Sequence, residues 1–106
     1  MDRYAAAVSG LDPDDGERLD AELAVTEETL AKLFALGPGG AIPPHDHPGS
    51  TNVLHVTEGT VTVVVDGEET RVDAPGTVVV DPGAEHGARN EGEGRAVLTA
   101  TFAPPP

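Results

Sequence analysis

Between residues 41 and 102 apolar residues occur in short runs, NVLHVT, TVTVVV, TRVDA, TVVV and RAVLTATF, separated by EG, DGEE, PG and DPG. Runs of this length, rich in Val and Thr and broken by Gly and Pro, predict an all-β chain folded as a sandwich or jelly roll. The Asp66-Gly67 pair between two such runs predicts a hairpin, because both residue types tolerate the positive φ that a tight turn needs. Residues 61–65 (VTVVV) and 78–80 (VVV) are apolar on both faces and are expected to be covered twice. The interior covers one side. The N-terminal segment or a second copy of the chain is expected on the other, which makes a homodimer the expected assembly.

The first third reads less clearly. Residues 1–16 combine a short Ala-rich turn with the loop-forming LDPDDG and are expected to be an extension to one domain spanning 17–103. Within 17–36, Leu19, Leu23, Leu30, Leu33 and Phe34 fall near helical spacing. Strand alternation fits as well, with Leu30, Lys32, Phe34 and Leu36 on one side and Ala31, Leu33 and Ala35 on the other. Intrinsic propensity alone favours the helix. The closing APPP is expected to fray.

Charge narrows the partners. Nineteen acidic residues against six basic ones give a formal charge of −13, and Lys32 is the single lysine. Such a chain repels nucleic acid and anionic membranes, and with only Tyr4, Phe34 and Phe102 as aromatics it offers no stacking platform for bases. The acid excess resembles that of proteins from salt-accumulating halophiles; an ordinary acidic protein from a GC-rich genome is the alternative. Cysteine is absent, which excludes disulfides, thiolate ligands and cysteine nucleophiles. The N-terminus has neither a secretory signal pattern nor a membrane-spanning run, so a cytoplasmic location is expected.

Two of the four histidines, His45 and His47, stand one residue apart. On a strand they would project from the same face, roughly 6 to 7 Å apart at the backbone, near enough to converge on one ion. Taken alone, His-x-His also occurs as a solvated strand end. The longer pattern is more specific: Gly39, five residues, His45, one residue, His47, four residues, Asn52, six residues, Gly59. Downstream come Gly76, five residues, Pro82, then His86, three residues, Asn90. Together these resemble the two motifs of the cupin family, the first of which usually has Glu where Asn52 stands.

The resemblance implies a double-stranded β-helix in which His45, His47 and His86 meet, with Asn52 as a further candidate ligand, around one divalent metal ion. Fe2+ is favoured, with Zn2+, Mn2+, Ni2+ or Cu2+ as alternatives. It also implies that residues 29–36 form a strand against their propensity. With neutral ligands only, the ion would keep its full charge, favouring a small polar or anionic molecule. The implied activity is a dioxygenase of the three-histidine type or a related metal-dependent oxidoreductase or isomerase. The alternatives are a non-catalytic small-ligand or metal-sensing module, and a structural domain with a vestigial site. His55 is expected on the opposite face from Asn52, three residues away. Asp46, Glu58 and Glu85 read as solvated acids, Asn90 as a turn cap, Phe34 and Phe102 as core, and Lys32 as remote from the histidines.

Overall fold

Alternation of apolar and polar residues, broken at Gly and Pro, gives nine strands and one short helix among the described residues. They are α1 (Arg3–Ser9), β1 (Arg18–Val25), β2 (Leu30–Leu36), β3 (Ala41–His45), β4 (Thr51–Glu58), β5 (Thr60–Val65), β6 (Glu68–Asp73), β7 (Gly76–Val80), β8 (His86–Arg89) and β9 (Ala96–Ala103). A computed structural model describing residues 2–106 arranges them as a jelly-roll β-sandwich. One antiparallel sheet has the order β1-β2-β9-β4-β7 and the other β3-β8-β5-β6. At the β5–β6 hairpin Asp66 and Gly67 take φ values of 48° and 81°. Both lie in the left-handed region that a two-residue turn requires.

The two sheets enclose one core. Phe34, Leu36, Leu54, Val56 and Leu98 face inward from the first sheet, and Val61, Val63 and Ala88 from the second. The outward-facing Leu33, Ala35 and Val97 are just as deeply buried, because α1 lies over them through Tyr4, Ala7 and Val8. This settles the conflict in residues 17–36. β2 pairs with β1 on one edge and β9 on the other, and it buries both faces. A propensity difference of a few tenths of a kcal/mol per residue cannot oppose that much packing.

Three expectations need correction. The Ala-rich stretch is a helix rather than a turn, capped by Asp2, whose carboxylate accepts a hydrogen bond from the Ala5 N–H at 2.7 Å. That helix covers β2 and β9, not the doubly apolar β5 and β7. In β7 Val79 stays 59% exposed; in β5 the outward Thr62 is covered by Glu91, to whose carboxylate its hydroxyl donates at 2.8 Å. Finally, the APPP tail is held: β9 runs to Ala103, and the Pro104 carbonyl accepts a hydrogen bond from Ser50 Oγ at 2.6 Å. Among the described residues no helix is long and apolar enough to cross a membrane.

A helix of seven residues is not stable alone. Tyr4 Oη donates to Thr57 Oγ1 at 2.7 Å, and Arg95 donates to the carbonyls of Val8 and Leu11 at 3.0 and 2.6 Å. The same guanidinium grips Glu58 as a two-point fork at 2.7 and 2.8 Å. Hydrogen bonding to Arg95 holds the Glu58 carboxyl below the usual carboxylate range, against a smaller opposing effect of burial. Its contribution to stability is therefore complete above the unfolded-state value of about 4.3 and disappears as pH falls through the lower folded-state value. Glu58→Gln should lower the melting temperature at pH 7, with a loss of stability of no more than about 1 kcal/mol for a partly exposed pair. The gap from the parent chain should close in melts recorded at progressively more acid pH.

Candidate metal centre

The site begins with a break in regular pairing. Ile42 of β3 faces Ala88 of β8, but the next pair is His45 with His86, so β3 carries one extra residue over that interval. Pro43 and Pro44 fill it. Lacking N–H groups, they cannot continue the ladder, and the resulting bulge re-aims the strand end. His45 and His86 come to face each other with ring centroids 4.5 Å apart.

His47 lies beyond the end of β3, so a turn orients it rather than strand alternation. Its carbonyl accepts hydrogen bonds from the N–H groups of Ser50 and Gly83, at 3.1 and 3.3 Å. Gly83, at φ 82°, supplies the left-handed turn between Pro82 and β8. The His47 ring packs edge-on against Phe102 at 4.8 Å and stands 4.8 Å from His45 and 5.6 Å from His86.

Two of the rings have their proton positions fixed by the backbone. His45 Nδ1 lies 2.8 Å from the Pro43 carbonyl oxygen, and His86 Nδ1 lies 3.0 Å from that of Ala84. A carbonyl can only accept, so Nδ1 carries the hydrogen in each ring and the neutral imidazole presents a lone pair at Nε2. Burial, reinforced by the neighbouring His45 and His86, lowers the proton affinity of His47, with Asp46 opposing weakly. His47 is thereby biased toward the neutral form that binds cations.

Asn52 projects from β4, which pairs it with Phe102 on one side and Val80 on the other. Its amide is buried, with Nδ2 donating to His86 Nε2 at 3.1 Å. Its Oδ1 has no partner among the described residues, and a buried acceptor left this way costs roughly 1–3 kcal/mol. Turning the amide over would put Oδ1 and Nε2, two lone pairs, side by side, an arrangement that only a cation or a proton stabilises. The donor set thus fits a divalent ion.

His45, His47 and His86 could hold a metal: their ring nitrogens lie within 4.8 Å of one another. Ligands on one ion with bonds of about 2.1 Å stand at most ~4.2 Å apart, so only a slight closure of the rings is needed.

A cavity of about 260 Å³ opens over this cluster, walled by Leu30, Phe34, Leu54 and Phe102. The two phenylalanines therefore serve both core and cavity. Arg18, Asp20 and Lys32 also line it, which corrects the placement of Lys32 away from the histidines. The alternation of β2 had already put Lys32 on the face of Phe34 and Leu36; only the direction of that face was missing. Arg18 and Asp20 were missed outright, although in RLDAEL the polar residues 18, 20 and 22 alternate with apolar ones.

The remaining candidates fall elsewhere. His55 is outside the cluster, its Nδ1 hydrogen-bonded with Thr77 Oγ1 at 2.8 Å. Asn90 caps its turn, donating to the carbonyls of Leu36 and Gly94 and accepting from the Gly92 N–H. Asp46 and Glu85 are exposed, whereas Glu58 is committed to Arg95.

A jelly roll with imidazoles from both motifs converging between its sheets defines a class of small β-barrel proteins, many of which bind metal there. The chain belongs to the cupin family: the Cupin domain model matches residues 32–102. It is similar to the crystal structure of TT1209 from Thermus thermophilus, with 33% identity, 91% of each chain covered and a TM-score of 0.84. Among curated proteins it resembles the tetracenomycin polyketide synthase protein TcmJ of Streptomyces glaucescens, 33% identical over 69 residues, covering 65% of this chain and 46% of that protein. It also resembles the auxin-binding protein ABP19b of Prunus persica, 37% identical over 82 residues, covering 73% and 39%. The chain thus spans less than half the length of these two curated relatives.

In a pH titration of the imidazole NMR signals of metal-free protein, His47 should protonate below the usual value near 6.5. His45→Ala should move it back upward by removing one repelling neighbour. An unmoved His47 signal would mean that the two rings do not share one electrostatic environment.

Proposed function

We propose that the chain is a mononuclear divalent-metal cupin that acts on a small polar or anionic molecule, with His45, His47, His86 and Asn52 as ligands. The single observation behind this reading is the convergence of three imidazoles on one space, with the buried amide of Asn52 against His86 and its oxygen unpartnered. Fe2+ is the favoured ion, since a neutral set of three imidazoles and one amide oxygen with open positions suits redox-active and Lewis-acid metals alike. Bound there, the ion would supply charge and open coordination positions for the small molecule. Neutral ligands leave its charge undiminished, which suits an anionic occupant. In its catalytic form the reading is oxygen-dependent oxidation of a small thiol, catechol or carboxylate.

One observation favours a non-catalytic binding module instead. Beyond the candidate ligands, the only side-chain carboxylate among the described residues lining the cavity is Asp20, and it is paired with Lys32 at 3.5 Å. No free general acid or base is therefore at hand to move a proton.

Untagged protein analysed by mass spectrometry should carry close to one metal ion per chain. His86→Ala should abolish it with the β circular-dichroism spectrum retained, and Asn52→Ala should weaken it roughly 10- to 100-fold. Normal metal content in the His86 variant would remove the proposed ligand set. Oxygen uptake by iron-loaded protein across thiols, catechols and carboxylates separates catalyst from binder, silence throughout favouring the binder.

A further inference from the structure

Almost every cation of this acidic chain is spoken for. Arg3 donates to the Leu23 carbonyl, Arg71 lies 3.9 Å from Asp73, Arg89 pairs with Glu69 and Glu91, and Arg95 is held by Glu58. Lys32 has only a long contact with Asp20 at 3.5 Å, and its ammonium sits 5.2 Å from the centre of the Phe34 ring. Arg18 has no hydrogen-bond or ion-pair partner among the described residues, although the chain carries nineteen acids. Arg18, which has no such partner, and Lys32, whose one ion pair is with Asp20, line the same cavity.

Their placement follows from register. Arg18 faces Leu36, and Asp20 faces Phe34, across the β1–β2 pair. With period-two alternation this puts Arg18, Asp20 and Lys32 on the inner face of the sheet. Two cations and one carboxylate line the cavity, with Arg18 and Asp20 exposed and Glu22 facing Lys32 across the β1–β2 pair outside the lining. A guanidinium free to offer its planar fork is matched to a carboxylate. Between this edge and the histidines the walls are Leu30, Phe34 and Phe102.

We propose that Arg18 and Lys32 form an anion clasp that selects small organic acids whose carboxylate sits on the clasp and whose other end, across an apolar spacer, reaches the His45–His47–His86 cluster. The proposal rests on the metal-site reading for the second end only. The clasp itself requires no ion, so the two can fail separately.

The test uses Co2+-loaded protein in isothermal titration calorimetry at low salt. Malonate, glutarate and pimelate are compared with propionate, pentanoate and heptanoate, the monocarboxylates of equal carbon number. At least one diacid should bind about tenfold or more tighter than its partner, the scale of one charge-assisted hydrogen bond. Arg18→Gln and Lys32→Met should each remove most of that preference, leave the monocarboxylates unchanged and preserve the cobalt absorption spectrum. Arg18→Lys should keep part of it. No preference at any length, or a preference surviving both substitutions, overturns the clasp. If the parent chain takes up no cobalt, the metal reading falls, and titration of metal-free protein with pimelate decides the clasp: loss of binding in Arg18→Gln supports it, and binding indifferent to Arg18 overturns it.

Discussion

Everything at the site depends on the register of β3 against β8. Two prolines deny the ladder its hydrogen bonds and force one extra residue into β3, and that residue brings His45 opposite His86. One residue fewer would flip His45 to the other face, because side chains alternate with period two. The backbone then completes the work on the same two rings, since the Pro43 and Ala84 carbonyls hold the Nδ1 protons and turn the free lone pairs inward. Local chain geometry, more than any distant contact, sets the chemistry of these imidazoles.

A second constraint is electrostatic. The chain is strongly acidic, yet three imidazoles, a neutral amide and two cations line the cavity with one acid. The replacement of a carboxylate by Asn52 in the family pattern belongs to the same tendency. Repulsion of anions by the negative surface is largely screened beyond a Debye length of about 8 Å at physiological salt, so the groups that line the cavity decide what is held at contact.

The strands, the Asp66-Gly67 turn and the gathering of His45, His47, Asn52 and His86 were legible because each leaves a local mark: Val-Thr runs, a turn dipeptide, a fixed spacing between glycines and histidines. Family membership rests on those same marks. β2 was legible only through the resemblance, since its own residues prefer a helix and its pairing with β9 joins segments some 66 positions apart, as between Leu33 and Thr99. Lys32 and Arg18 escaped because alternation tells which residues share a face, while topology decides what that face looks onto. The orientation of His47 was anticipated for the wrong reason. A turn pinned by Ser50 and Gly83 does what strand periodicity was expected to do.

The docking of α1 has a consequence for the order in which the molecule can assemble. The helix leaves the ribosome before any of the strands, yet its seat includes Val97 of β9 and its anchor is Arg95, more than eighty residues downstream. Until β9 inserts between β2 and β4, Leu33 and Ala35 have no complete cover. Synthesis therefore carries a sticky patch on β2 through the six strands β3 to β8, and the nascent chain is most open to misassociation just before the ninth strand emerges.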